Sequence, residues 1–124
     1  MAAPNLLTAT TFTGKLAYLT PANTTANVLL ANAASSGKVF KVEMIMAANV
    51  DGAATYAATV AINSNAAGSG TSYAIASTID IPNDASIIIT DRSTSFYLEE
   101  DKSIVVTSST ASKITYTVSY EEIS

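Results

Sequence analysis

Two short runs of carboxylates, Glu99-Glu100-Asp101 and Glu121-Glu122, are the residues best suited to acid–base chemistry. A glycosidase needs two carboxyl groups that face each other across the sugar. Neighbouring residues of a strand point to opposite faces of the sheet, so these runs do not supply that geometry. Charged turns that protect strand edges are the better interpretation.

The chain contains no histidine and no cysteine. A Ser–His–Asp triad therefore cannot form, and cysteine nucleophiles, thiolate metal sites and disulfides are excluded as well. A Ser–Lys pair is conceivable, but nothing places one of the lysines beside a particular serine. Gly68-Ser69-Gly70 is followed by no lysine, which argues against a phosphate-binding loop. The sequence thus predicts no catalytic residue, no cofactor and no enzyme.

Calcium is the metal that this chain could bind, because carboxylates and carbonyls suffice to hold it. The turn Asn49-Val50-Asp51-Gly52 lacks the further acidic residues of a calcium loop, and Lys102 directly follows Glu99–Asp101. We predict no metal site, and calcium at these acidic loops is the open alternative.

Six tyrosines could form a platform on which sugar rings stack. Four of them lie in phase with the Ile and Val residues of their own predicted strands, which favours core packing: Tyr56, Tyr73, Tyr116 and Tyr120. Tyr18 and Tyr97 are less constrained, so they are the candidates for a sugar contact.

The surface composition is unusual, because only 13% of the residues are charged while Ala, Ser and Thr supply 54 of 124. Six basic residues against ten acidic ones, with no basic run, argue against nucleic acid. Apolar runs are only a few residues long, which predicts no membrane span, and the first residues lack the pattern of a secretory signal. Such a surface suits a chain that packs beside its own copies or on a larger assembly. An uncharged monomer is the alternative.

Alternation of apolar and polar residues with a period of two is the main structural signal. In Lys38–Ala47 it places Phe40, Val42, Met44 and Met46 on one face. The complete set of predicted strands is Phe12–Tyr18, Thr25–Ala31, Lys38–Ala47, Thr55–Asn63, Ser72–Ile81, Ser86–Thr90, Ser95–Leu98, Ser103–Ser108 and Lys113–Glu121. Residues Asn27–Ala34 could instead form a short helix, although the β-branched and Thr-rich flanks favour a strand.

Eight to nine short strands joined by short turns predict an all-β fold, a single antiparallel β-sandwich or jelly-roll-like domain over residues 12–124. Residues 1–11 form a predicted N-terminal arm. Five residues near the two ends are candidate assembly contacts: Asn5, Leu6, Leu7, Tyr120 and Ile123. Five others are predicted to lie in exposed loops: Asp51, Gly52, Asn65, Gly68 and Gly70.

Three stretches, residues 81–85 (IPNDA), 96–101 (FYLEED) and 118–123 (VSYEEI), resemble small virion proteins of tailed phages, particularly marine ones. Asn49–Gly52 and Asn5–Gly14 are similar to that group as well. The likeness spans most of the chain through short motifs, and Asp101 stands where the group would have a glycine. The resemblance implies a component of the particle, with no catalytic residues to carry over.

The resemblance and the surface composition together predict a non-enzymatic virion structural protein, a decoration or cement subunit on the phage head. It would be assembled in the host cytoplasm and would contact the major capsid protein or other virion proteins. We also expect a homo-oligomer, for which a trimer would match the threefold sites of a shell. The alternatives are a tail, neck or fibre component, or a carbohydrate-binding or adhesion module that uses the Asn63–Gly70 and Asp51 loops.

Overall fold

The computed structural model describes residues 4–124. Its nine strands are β1 (Phe12–Leu19), β2 (Asn27–Asn32), β3 (Val39–Asn49), β4 (Tyr56–Asn63), β5 (Ser72–Ile81), β6 (Ser86–Thr90), β7 (Phe96–Leu98), β8 (Lys102–Ser108) and β9 (Ile114–Ile123). A turn of 3-10 helix at Arg92–Thr94 joins β6 to β7, and residues 4–124 include no α-helix. Every predicted strand is present, and the segment that could have been a helix is strand β2.

The strands form two antiparallel sheets. The first sheet has the order β1-β9-β3-β6, with β7 also paired to β3, and the second has the order β2-β8-β4-β5. The chain crosses between the sheets at most connections, and only β4–β5 and β6–β7 stay within one sheet. This connectivity is that of a jelly roll, so the predicted all-β sandwich is confirmed.

The core lies between the two sheets and follows the predicted alternation in β4 and β9. In β9 the side chains of Ile114, Tyr116 and Val118 are fully buried. The Tyr116 hydroxyl shares a hydrogen bond of 2.9 Å with Ser108 Oγ and donates one of 3.0 Å to the Thr107 carbonyl. Burial raises the pKa of Tyr116, so its hydroxyl remains a donor.

Strand β5 departs from the predicted core face. Ile81 is fully buried, but Tyr73 is 64% exposed, and Ile75 and Ile79 are also exposed. The pairing of β5 with β4 shifts register twice, and β5 is an edge strand. Tyr73 and Ile79 pair with Ile62 and Ala58 and so face the core side, but the edge position of β5 leaves them uncovered. The prediction that Tyr73 packs in the core is therefore wrong.

Three buried asparagines close the ends of β2, β3 and β4. Asn32, Asn49 and Asn63 are each the last residue of their strand and are at most 2% exposed. The Asn32 amide donates to the carbonyls of Lys38 and Leu98, and the Asn49 amide donates to those of Ala54 and Ile81. A buried amide needs such partners, so these side chains fix where the following loops leave the sheet.

The loop at residues 64–71 packs onto the outer side of the second sheet. The Ser103 hydroxyl donates to the Asn65 carbonyl at 2.8 Å, and the Ala66 amide donates to Asp101 Oδ1 at 3.1 Å. Gly68 has a φ of +78°, and a Cβ added there would lie 2.8 Å from Val28 Cγ2. The predicted loop tip over Asn63–Gly70 is thus exposed only in part: Ser64, Ala67, Ser69 and Gly70 are exposed, whereas Asn63 is buried and Asn65, Ala66 and Gly68 are half-buried.

The predicted arm is attached at its C-terminal end. The amides of Thr10 and Thr11 both donate to the Ser124 carbonyl, and the Ser124 amide donates to the Thr11 carbonyl. Within the arm, Asn5 forms a turn by accepting backbone bonds from Thr8 and Ala9. Residues 1–3 of the arm lie outside the described residues.

Candidate interaction surface

Several of the carboxylates considered above for acid–base chemistry or for calcium accept hydrogen bonds from groups in or beside the loops. Asp51 Oδ2 accepts a 2.9 Å hydrogen bond from the Tyr56 hydroxyl, which raises the pKa of Tyr56. Glu100 Oε2 accepts a bond from the Gly37 amide. In the part of the chain that the structure describes, no group of three or more acidic side chains is placed to hold a metal ion.

Glu121 and Glu122 lie on opposite faces of β9, as expected for neighbours in a strand. Glu122 lies 3.2 Å from Lys15 Nζ and 3.3 Å from Lys38 Nζ. Burial acts to raise the pKa of Glu122, but the hydrogen bonds and charges of the two lysines outweigh it and lower the pKa overall. This arrangement links β1 and β9 to the residue that precedes β3, and it places Glu121 and Glu122 on different sides of the sheet.

The most distinctive feature of the surface originates at a β-bulge in β3. Val42 pairs with Tyr120 and Met44 pairs with Ser119, so Glu43 is an extra residue in β3. The extra residue reverses the alternation for the rest of the strand. Ile45 therefore points into the core and is fully buried, whereas Met44 and Met46 point outward and are half-buried. The prediction that the two methionines share a face with Phe40 and Val42 is wrong.

The outer face of the first sheet can be read from its registers, since directly paired residues point to the same side. One row across the sheet is Tyr18, Thr117, Met46 and Ile88. The next row is Leu16, Ser119 and Met44. The same face includes Phe12 and Tyr97 towards one end. We call seven accessible large apolar residues of this side the outer face: Phe12, Leu16, Tyr18, Met44, Met46, Ile88 and Tyr97.

The outer face leaves large apolar side chains in water. The exposed fractions are 53% for Phe12, 58% for Leu16, 73% for Tyr18, 63% for Ile88 and 47% for Tyr97. An aromatic side chain has roughly 150–250 Å² to bury, so these five residues together expose about 500 Å² of mostly apolar surface. Monomeric proteins rarely expose a contiguous apolar patch larger than a few hundred Å².

The predicted assembly contacts are divided between surface and interior. Leu7 is 94% exposed and Leu6 is 43% exposed, and Asn5 lies beside them on the surface. Ile123 is only 2% exposed, so it stabilises the fold and is not available to a partner. Tyr120 is half-buried, with its ring centroid 5.0 Å from that of Phe40, which makes it a core contact as well.

The predicted loop residues also differ in accessibility. Gly52 and Gly70 are exposed, whereas Asp51, Asn65 and Gly68 are half-buried. The Asn65 side chain is engaged locally, since its Oδ1 accepts the Ser69 amide. The sequence did not single out Leu16, Met44, Met46 or Ile88 as surface residues, because their alternation alone favours burial.

The structure also has two shallow cavities, of about 240 and 250 Å³, which are not lined by residues of the outer face. The first lies on the second sheet and is lined by Thr and Ser hydroxyls with Ala57. The second is lined by Ile75, Ile89, Thr90, Thr94 and Phe96. Neither lining contains a carboxylate, lysine, arginine or tyrosine.

Comparison with known proteins matches the chain to no family model and to no curated protein. Within residues 4–124, no helix is both long enough and apolar enough to cross a bilayer.

Proposed function

We propose that this chain is a non-enzymatic structural subunit of a tailed-phage particle, a decoration or cement protein of the head. The observation that carries the proposal is the outer face, a set of exposed apolar side chains on one side of a well-packed sandwich. An exposed apolar surface of this size favours contact with another protein. The phage setting rests on the resemblance of the short sequence motifs.

The fold is in keeping with this role. Jelly rolls serve in viral capsid domains and in lectins, so the architecture favours both the leading proposal and its carbohydrate-binding alternative by analogy. Among the described residues, no group of three or more acidic side chains is placed to hold a metal ion. The conspicuous surface of the molecule is apolar, and apolar surface serves binding.

The energetics suit a subunit that is present in many copies. Burial of about 500 Å² of apolar surface contributes roughly 12 kcal/mol before costs. Association costs about 4–15 kcal/mol in lost translational and rotational freedom, so the net free energy of one contact of this kind is modest. Many such contacts, repeated over a shell, stabilise it collectively.

Immunogold electron microscopy of purified particles tests the proposal. An antibody raised against the folded chain should label the head densely. Label confined to the tail or neck would overturn the head assignment in favour of a tail, neck or fibre component. Absence of label, with an antibody that binds the folded protein, would contradict an exposed virion role.

The exposure of two tyrosines favours a second candidate, a carbohydrate-binding or adhesion module. Tyr18 and Tyr97 present 73% and 47% of their surface on the outer face. Exposed aromatic rings of this kind can stack on sugar rings. Glycan-array binding that is lost in Tyr18→Ala or Tyr97→Ala would support the carbohydrate-binding module. If the wild-type chain binds no glycan on the array, a module that recognises those glycans is excluded.

A further inference from the structure

We infer that the outer face packs against the same face of a second copy of this chain, around a twofold axis. The inference rests on the proposed function in one respect: it takes the outer face to be buried in an assembly, and it then names the occupant. It needs no contribution from the shell, so it can be tested on the purified protein.

The shape of the outer face is complementary to itself. Strand β9 forms a trough along it, because Thr117 and Ser119 are small residues between larger neighbours. Leu16 and Tyr18 form a ridge on the β1 side of the trough. Met44, Met46 and Ile88 form a second ridge on the β3–β6 side. In a twofold arrangement, the Met44 and Met46 ridge on β3 of each copy lies in the β9 trough of the other, so that Ile88 on β6 faces the β1 ridge of the partner.

The area matches what a stable pair of subunits requires. A standard interface buries about 800 Å² on each partner. The five most exposed residues supply about 500 Å² of this, on the exposed fractions given above. The half-buried methionines and the Thr and Ser residues of the trough lie within the same outline and add to it. Two sheets that pack face to face also form the geometry of an ordinary sandwich.

The charges of the face permit contact between two identical surfaces. The whole chain carries a net charge of −4. The outer side of the first sheet carries Lys41, Glu43 and Glu121, one positive and two negative groups, or −1. Lys41 Nζ lies 3.7 Å from Glu43 Oε1, and Glu121 is directly opposite Lys41 in the β3–β9 ladder. Three of the four net negative charges therefore lie elsewhere, where two copies would not bring them together.

Sedimentation velocity across a concentration series tests the inference. The wild-type chain should sediment as a dimer at about 100 µM. Leu16→Asp and Ile88→Asp each place a charge in the proposed contact and should weaken the dimer at least about 100-fold. Tyr73→Asp is the matched control, because Tyr73 is 64% exposed on β5 of the other sheet and should leave the dimer unchanged.

The outcomes separate the two proposals. A monomeric wild type, a trimer, or a dimer that survives both variants with their circular dichroism intact would overturn the inference. A monomeric chain that labels phage heads would overturn the inference alone. A dimer that loses association in both variants but is absent from particles would overturn the proposed function alone.

Discussion

Met46 and Ile88 lie directly opposite each other in the β3–β6 ladder, and both side chains point away from the core. Ile88 is 63% exposed, so this pair leaves an apolar contact open to solvent at the β6 edge of the first sheet. The pair exists because the bulge at Glu43 turns Met46 outward. The bulge in β3 therefore places Met46 on the face that we propose is covered by another protein.

Tyr116→Phe should destabilise the fold without changing its shape. The substitution leaves the buried Ser108 hydroxyl and the Thr107 carbonyl without the partner that Tyr116 supplies. We expect a loss of about 1–2 kcal/mol in the free energy of unfolding. Urea denaturation measures it, and an unchanged midpoint with an unchanged slope would contradict the assigned hydrogen bonds.

Gly68→Ala should be more harmful than Gly14→Ala. At Gly68 the backbone has a φ of +78°, and a Cβ would lie 2.8 Å from Val28 Cγ2 and 3.2 Å from Val105 Cγ1. At Gly14 a Cβ meets nothing within 4 Å. We expect a loss of about 1–3 kcal/mol at Gly68 and less than about 0.5 kcal/mol at Gly14. Thermal unfolding of the two variants compares them, and equal melting temperatures would show that the loop does not pack on the second sheet.

The stability of the fold should depend on pH through Glu122. Its pKa is lower in the folded chain than in the unfolded chain, because Lys15 and Lys38 outweigh the effect of burial. The contribution of Glu122 to the free energy of unfolding is therefore complete above its ordinary pKa of about 4.5. It is lost as the pH falls through the lower pKa of the folded chain. Both lysines are 41% exposed, so solvent screening limits the contribution to less than about 1 kcal/mol.

Glu122→Gln should remove that contribution at pH 7 and make stability less dependent on pH below about 4.5. Glu121→Gln is the control, since Glu121 lies on the opposite face of β9. Urea unfolding at pH 7 and in acid gives the comparison. Equal pH dependence in the two variants would contradict the role assigned to Glu122.

Removal of residues 1–9 should leave the sandwich folded and weaken binding to particles. The deletion retains the bonds that Thr10 and Thr11 form with Ser124, and it removes Leu7, which is 94% exposed. We expect the melting temperature to change by less than about 3 °C. Pull-down on purified particles measures binding. Loss of folding would show that the segment belongs to the core, and full binding would contradict its role as an assembly arm.

The fold was predictable because its main signal is local. Alternation with a period of two marks a strand wherever one face is buried, and it identified four of the nine strands, including the buried face of β9 at Ile114, Tyr116 and Val118. The five shorter strands were placed in the gaps between turns. The pairing of the strands into two sheets is not local. It depends on which faces meet, and the sequence alone indicates only the general architecture.

The candidate surface was not predictable, because it depends on register. One extra residue at Glu43 reverses the side on which Met44 and Met46 lie, and nothing in the alternation of β3 marks that residue. The burial of Ile123 and the seating of Gly68 against Val28 arise in the same way, from contacts between distant parts of the chain. Sequence reasoning did single out Leu6 and Leu7 as candidate assembly contacts, since no strand pattern includes them, and both are exposed.

Oxidative footprinting of Met44 and Met46 tests whether the outer face is covered on the particle. Both residues lie on that face, and neither need be mutated. In a dilute solution of the isolated chain, both should be oxidised to the sulfoxide at the rate of accessible methionines. On purified particles, where the face is covered, their oxidation should slow by at least about tenfold, as mass spectrometry of the digested chain would show. Equal oxidation rates in the two states, with the chain present on the particle, would contradict the account.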